Sequence, residues 1–178
     1  MRKLKTQLVL VPVLAAFLGL GSGAALAGNT VVSGSMDQTY SERHMLPVSN
    51  DEGHALLLTD AIGKNVDTSG TGFLNGYAVD VREIADLARG TGPSQGYVTF
   101  IDGSDKAFVK VNGQVTTVLK DDKPSTAFQG KWSYVGGSGK YEKLTGDGTY
   151  AGYFTAEDKF HVDWKGYSNM VRGEVSAK

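Results

Sequence analysis

Apolar and polar side chains alternate with a period of two along much of the chain, the signature of half-buried strands. Phe160, Val162 and Trp164 fall on one face, with His161, Asp163 and Lys165 on the other. Phe128, Gly130, Trp132 and Tyr134 share a face opposite Gln129, Lys131 and Ser133, and Ala107, Val109 and Val111 alternate with Phe108 and Lys110. Asn112-Gly113 follows that run and precedes Gln114–Leu119. It predicts a tight hairpin there, because both residues tolerate positive φ. Asp121-Asp122-Lys123-Pro124 predicts the next turn. Gly146-Asp147-Gly148 leads into a strand over Thr149–Thr155, which Ala156-Glu157-Asp158-Lys159 joins to Phe160–Gly166. Strands recurring about every ten residues between glycine turns predict an antiparallel sandwich or barrel.

The first half of the pattern is less regular. His54–Thr59 holds the run Ala55-Leu56-Leu57-Leu58, and Tyr97–Ile101 is similarly apolar on both sides. Such runs predict burial on both faces. Gly72–Val81 predicts a strand weakened by Gly76. Asp80–Ala88 fits a strand or a short helix, since Val81, Ile84, Leu87 and Ala88 stand at i, i+3, i+6 and i+7. Gly90-Thr91-Gly92-Pro93 ends that segment either way. In a barrel at least one of three consecutive leucines must point outward, and adjacent apolar strands would form a patch of the kind that marks an interface. This predicts a homo-oligomer with Leu57 or its neighbours at the contact. Cover by a terminal segment, or by Asp80–Ala88, is the intrachain alternative.

The N-terminal pattern differs. Arg2, Lys3 and Lys5 precede an apolar run from Leu8 to Leu20, and Ala25-Leu26-Ala27 supplies a small-x-small cleavage site. Residues 1–27 therefore read as a signal peptide, and 28–178 as a single β domain. The run is broken by Pro12 and Gly19 and is short for a membrane anchor, which needs about 20 apolar residues. The expected location is periplasmic or extracellular, with no membrane span in the mature chain. Cleavage removes 27 of 178 residues and three positive charges, taking the net charge from −1 to −4. That balance gives no reason to expect nucleic acid as a partner.

Composition narrows the chemistry. The absence of cysteine excludes disulfides, thiolate metal sites and cysteine nucleophiles. Gly136-Gly137-Ser138-Gly139-Lys140 suggests a phosphate loop, but Tyr134 replaces its first glycine and Tyr141 its Ser or Thr. A strand-joining turn is the simpler reading, with Gly136, Gly137 and Gly139 as its structural residues. His44, Asp51, Glu52 and His54 contain metal-ligand types, yet Ser49-Asn50-Asp51-Glu52-Gly53 reads more simply as a polar turn. Asp102-Gly103-Ser104-Asp105 lacks the downstream glutamate of a calcium loop. No Gly-x-Ser-x-Gly elbow accompanies Ser41-Glu42-Arg43-His44. No metal or cofactor is therefore expected. Large aromatics, among them Tyr40, Phe73, Phe100, Tyr134 and Phe154, either fill a barrel or enclose one small ligand.

The stretch from Val135 to Tyr150, with its Gly136-Gly137-Ser138-Gly139-Lys140-Tyr141 core, resembles the Gly-Gly-Ser/Thr-Gly-x-Phe/Tyr turn of allene oxide cyclases and dirigent proteins. It also resembles uncharacterised secreted bacterial proteins with an allene-oxide-cyclase-like barrel, as does Gly96-Tyr97-Val98-Thr99-Phe100. The resemblance spans about Tyr40 to Gly166. It implies a closed antiparallel barrel of about eight strands, an apolar cavity and often a trimer. The cysteine found in the plant cyclases has no counterpart here, and a shared turn carries fold rather than chemistry.

Three functions follow as expectations. The first is a non-enzymatic exported barrel binding a small, mostly apolar molecule or a partner protein. The second is a cavity isomerase or cyclase that holds a flexible substrate in one reactive conformation. The third is a structural envelope protein with a filled barrel. Glu52 and His54 near the barrel mouth, with Tyr77, Tyr97, Trp132 and Trp164, are the candidate ligand-binding residues.

Overall fold

A computed structural model describes residues 29–48 and 52–169. The expected signal peptide, Asp51 and most of the polar turn before His54 lie outside the described residues. Eight strands follow one another: β1 Thr30–Pro47, β2 His54–Asp67, β3 Ala78–Ala88, β4 Gly92–Asp102, β5 Asp105–Lys120, β6 Lys123–Ser138, β7 Gly146–Phe154 and β8 Lys159–Ser168. Each pairs antiparallel with the next, and β1 pairs with β8 to close the barrel. Closure removes the sheet edges along the body of the barrel, and β1 runs on past its β8 pairing to Pro47 beside β2 alone. Among the described residues the one helical piece is a single 3-10 turn, Gly139–Tyr141. Among the described residues no helix is long and apolar enough to cross a membrane.

Alternation decides the interior as expected on β6 and β8, where Phe128, Trp132, Tyr134, Phe160, Val162 and Trp164 turn inward. One open reading is settled and two expectations need correction. Asp80–Ala88 is strand, not helix, because β3 finds hydrogen-bonding partners on both β2 and β4. Gly72–Val81 is mostly loop: Leu74 and Gly76 take positive φ, and β3 begins only at Ala78. Asn112-Gly113 is no turn but the middle of β5, where Gly113 pairs with Gly130 of β6. The chain reverses instead at Asp121 and Asp122, both at positive φ (52° and 59°), as in a primed hairpin turn.

The leucine run resolves by the same parity. Leu57 points into the barrel, whereas Leu56 and Leu58 face outward, beside Ile84 and Tyr97. Leu57 itself is thus on the inner face of the barrel.

The loops gather at two unlike ends. At one, Phe73, Leu74, Tyr77, Tyr141 and Leu144 are buried as a plug. Polar groups within it are paired: Asn65 Nδ2 donates to the Leu74 carbonyl at 2.8 Å, and the Tyr141 hydroxyl to that of Tyr77 at 3.2 Å. The 3-10 turn docks the plug, with the Lys140 amide donating to Asp105 Oδ1 at 3.2 Å. Gly139 enters this turn at φ +60°, and Gly136 lies at φ +152°. Gly137 faces inward on β6, against the carbonyl oxygens of Tyr141 and Lys106, which leave no room for a Cβ. Gly137→Val should therefore cost about 1–3 kcal/mol of stability, the range for overpacking against backbone that cannot yield. Denaturant unfolding measures it, and a parent-like midpoint would refute this account of the corner.

Candidate functional site

The other end is open. The inward positions of its upper half form two unlike walls around a cavity of about 580 Å³. One wall is aromatic and comes from four adjacent strands: Phe128 of β6, Phe154 of β7, Phe160 of β8 and Tyr40 of β1. Their rings touch in sequence, with Tyr40–Phe160 centroids 5.0 Å apart, Phe154–Phe160 5.7 Å and Phe128–Phe154 6.0 Å. The other wall includes Leu57 and Thr59 of β2 with Glu83, Ala85 and Leu87 of β3, and Val115 and Thr117 of β5 with Thr126 of β6 also line the space. Below it the barrel narrows to a pocket of about 60 Å³ lined by Val81, Val98, Phe100, Trp132 and Trp164. That volume suits a few waters and no organic ligand. Glu83 borders both spaces, so its carboxyl sits at the floor of the open cavity.

Glu83 dominates the electrostatics. Burial pushes its carboxyl above the usual carboxylate range, and a hydrogen bond from the Ser94 hydroxyl partly opposes that. Ser94 is itself buried and also bonds Tyr150. The Tyr40 phenol is pushed up to about 12, first by burial and then by the negative field of Glu83, against a smaller opposing effect of Arg43. Tyr150 and Tyr134 are raised as well, mainly by burial. These phenols stay protonated at neutral pH. Among the residues lining the two spaces, Arg43 is the one base. It stands at the rim, 3.7 Å from Glu157 and 5.3 Å over the Tyr40 ring.

The six residues expected to bind ligand do not come together here. Trp132 and Trp164 line the narrow pocket, where their indole nitrogens donate to the Thr149 carbonyl (3.2 Å) and Asn65 Oδ1 (2.8 Å). Tyr77 is part of the plug at the closed end. Tyr97 lies on the outer face, 56% exposed, because Val98 and Phe100 take the inward parity of β4. His54 is also outside the barrel, hydrogen-bonded to Asp86, and Glu52 is exposed in the preceding turn. Among the described residues no three metal-ligating side chains converge.

The site that sequence reasoning missed is Glu83 with the wall of Tyr40, Phe128, Phe154 and Phe160. The signal for Glu83 was present. If Asp80–Ala88 is strand, Val79, Val81, Glu83, Ala85 and Leu87 share one face, and the acid stands among apolar neighbours.

No family model matches the chain, and no curated protein does. A solved structure to which it is similar is that of the pterocarpan synthase dirigent protein GePTS1, at 11% identity and a TM-score of 0.42, covering 86% of this chain and 98% of that one. The closed eight-stranded barrel stands on the chain's own strand register.

The raised Glu83 carboxyl has a consequence for stability. A group whose folded pKa exceeds its unfolded value of about 4.5 favours folding fully only below that value. This contribution is lost as pH rises through the folded pKa, because ionised Glu83 is then buried. Glu83→Gln should therefore melt higher than the parent at pH 8, with the gap shrinking as pH falls toward 4. Melting curves across that range check it, and a variant less stable at pH 8 would show the carboxylate to be well compensated.

Proposed function

We propose that this chain is an exported binding protein whose open barrel end takes a small, mostly apolar molecule and holds it without transforming it. The observation that carries this reading is the cavity of about 580 Å³, walled by four mutually packed aromatic rings. Its size lies within the range of small-molecule sites, and it is mostly apolar with a few polar groups to orient a ligand. Covering about 150 Å² of apolar surface there would contribute about 4 kcal/mol. A purely structural barrel would have no use for such a space.

A cavity isomerase is the second reading, favoured by Glu83 and Tyr150 sharing the Ser94 hydroxyl. Acid–base work near neutral pH needs groups poised close to that pH. The raised phenols do not meet that requirement, which leaves Glu83 alone and makes binding the better account.

Export rests on the Arg2-Lys3-Lys5 cluster and Ala25-Leu26-Ala27. Self-association rests on the outward side chains of Leu56, Leu58, Ile84 and Tyr97, which adjoin across β2, β3 and β4. A second copy of the chain is the simplest partner for such a face.

Two measurements test these statements. Fluorescence titration with the uncharged probe N-phenyl-1-naphthylamine should saturate at one site per chain. Ala85→Trp, which fills the mouth, should abolish that binding while preserving the sheet signal in circular dichroism. Binding that survives the tryptophan would locate the probe elsewhere. Native mass spectrometry of protein from the extracytoplasmic fraction should show chains beginning at or near Gly28 in a defined oligomer. An intact Met1 terminus would refute export, and a clean monomer would refute self-association.

A further inference from the structure

The open cavity carries its one acidic floor group and its aromatic wall on opposite sides. In an eight-stranded closed barrel β3 stands across from β7, so Glu83 faces the wall centred on Phe154 and flanked by Phe128, Phe160 and Tyr40. Among the described residues no lysine or arginine shares the floor with it: Arg82 turns outward toward Asp60 and Asp80, at 3.7 Å and 3.4 Å. Arg43 remains at the rim beside Glu157. Thr59 Oγ1 is spent on the Glu83 carbonyl at 3.4 Å, which leaves the Ser94 hydroxyl as the donor to the carboxyl.

We propose that the polar end of the ligand is an organic ammonium group, seated between the Glu83 carboxylate and the aromatic wall. The proposal rests on reading the open cavity as the ligand site and goes further by naming the class of molecule. Two features converge on a cation. A desolvated carboxylate is relieved by a positive charge brought to it, and aromatic faces attract the same charge through their quadrupoles. Neither feature serves an anion. A carboxylate-bearing ligand would meet Glu83 as a like charge, so fatty-acid-like anions are excluded from this orientation. A neutral alcohol could donate one hydrogen bond to Glu83 but would gain little from the rings. The wall already shows that it accepts a cation, since the Arg43 guanidinium lies 5.3 Å over the Tyr40 ring at its upper edge. An ammonium on a short apolar stem could occupy the equivalent place lower down, with its stem against Leu57, Ala85 and Leu87.

Calorimetry with three probes sharing a phenylethyl skeleton tests this: 2-phenylethylammonium, 2-phenylethanol and 3-phenylpropionate. The amine should bind at least about tenfold more tightly than the alcohol, and the propionate more weakly than either. Glu83→Gln should bring amine and alcohol to within about twofold of each other. The same variant should keep the parent's sheet signal in circular dichroism, which shows that the barrel is intact. An alcohol that binds as well as the amine, an amine that fails to bind, or an amine affinity unmoved by Glu83→Gln would each overturn the assignment. If the uncharged naphthyl probe binds the parent but the amine is not preferred, only the ammonium assignment falls. If that probe does not bind the parent at all, the open-cavity reading falls with it.

Discussion

Large aromatic rings can enter a narrow barrel only where a neighbouring strand presents no side chain, and this constraint organises the molecule. Trp132 lies over Gly148 and Gly166, Trp164 over Gly34, Phe128 over Gly152, and Tyr150 over Gly113 and Gly130. A Cβ on Gly34 would stand 2.7 Å from the Trp164 ring, and one on Gly166 would stand 2.5 Å from Trp132. Such approaches are closer than any real packing contact, so each glycine is a seat for one ring. Seated in this way, the rings meet edge to face, with Trp132 and Trp164 centroids 5.8 Å apart at 88° and Trp132 and Tyr134 5.0 Å apart at 67°. These are the arrangements that the ring quadrupole favours.

The two ends of the barrel follow from where the filling stops. Below the tryptophans, Phe73, Leu74, Tyr77, Tyr141 and Leu144 complete the plug, and Asn65 ties it to the barrel through Leu74 on one side and Trp164 on the other. Satisfied polar groups in such a core specify a single arrangement. Above the tryptophans the aromatic residues occupy only the β6–β7–β8–β1 side, and the facing positions are Leu57, Thr59, Glu83 and Ala85. The filled half is packed throughout. The half-filled half is left with space, one acid and a mouth.

Strand parity on β6 and β8 was legible because long side chains alternate there with charged ones. The aspartate turn at Asp121-Asp122 was legible because short polar side chains tolerate positive φ. Glycine misled in the middle of β5. Asn112-Gly113 has the composition of a hairpin turn, yet Gly113 is glycine because the Tyr150 hydroxyl and the Gln129 carbonyl stand where its Cβ would be. Local composition cannot separate a glycine that turns the chain from one that seats a ring two strands further along the sequence. The candidate site was obscured for a related reason: spacing in Asp80–Ala88 fits two periods, and only pairing with β2 and β4 selects the one that turns Glu83 inward. His54 and Glu52 attracted attention as ionisable groups at a strand start, but the outward parity of His54 sends it to Asp86 instead.

On β3, Glu83 is the inward residue that departs from the apolar rule. Every other inward residue of β3 is apolar (Val79, Val81, Ala85 and Leu87), and an apolar residue would pack there without the desolvation that raises the Glu83 pKa. The fold does not need the acid, since ring seating and the plug already define the barrel. Its position at the boundary between filled and open halves is also the only level at which a carboxyl can be shielded from bulk water yet reached from the mouth. One turn of parity lower it would be sealed beneath the rings, and higher it would be hydrated at the rim beside Arg43 and Glu157. A group that costs stability, placed at the one depth where a ligand can meet it, is better explained by what enters the barrel than by what holds the barrel together.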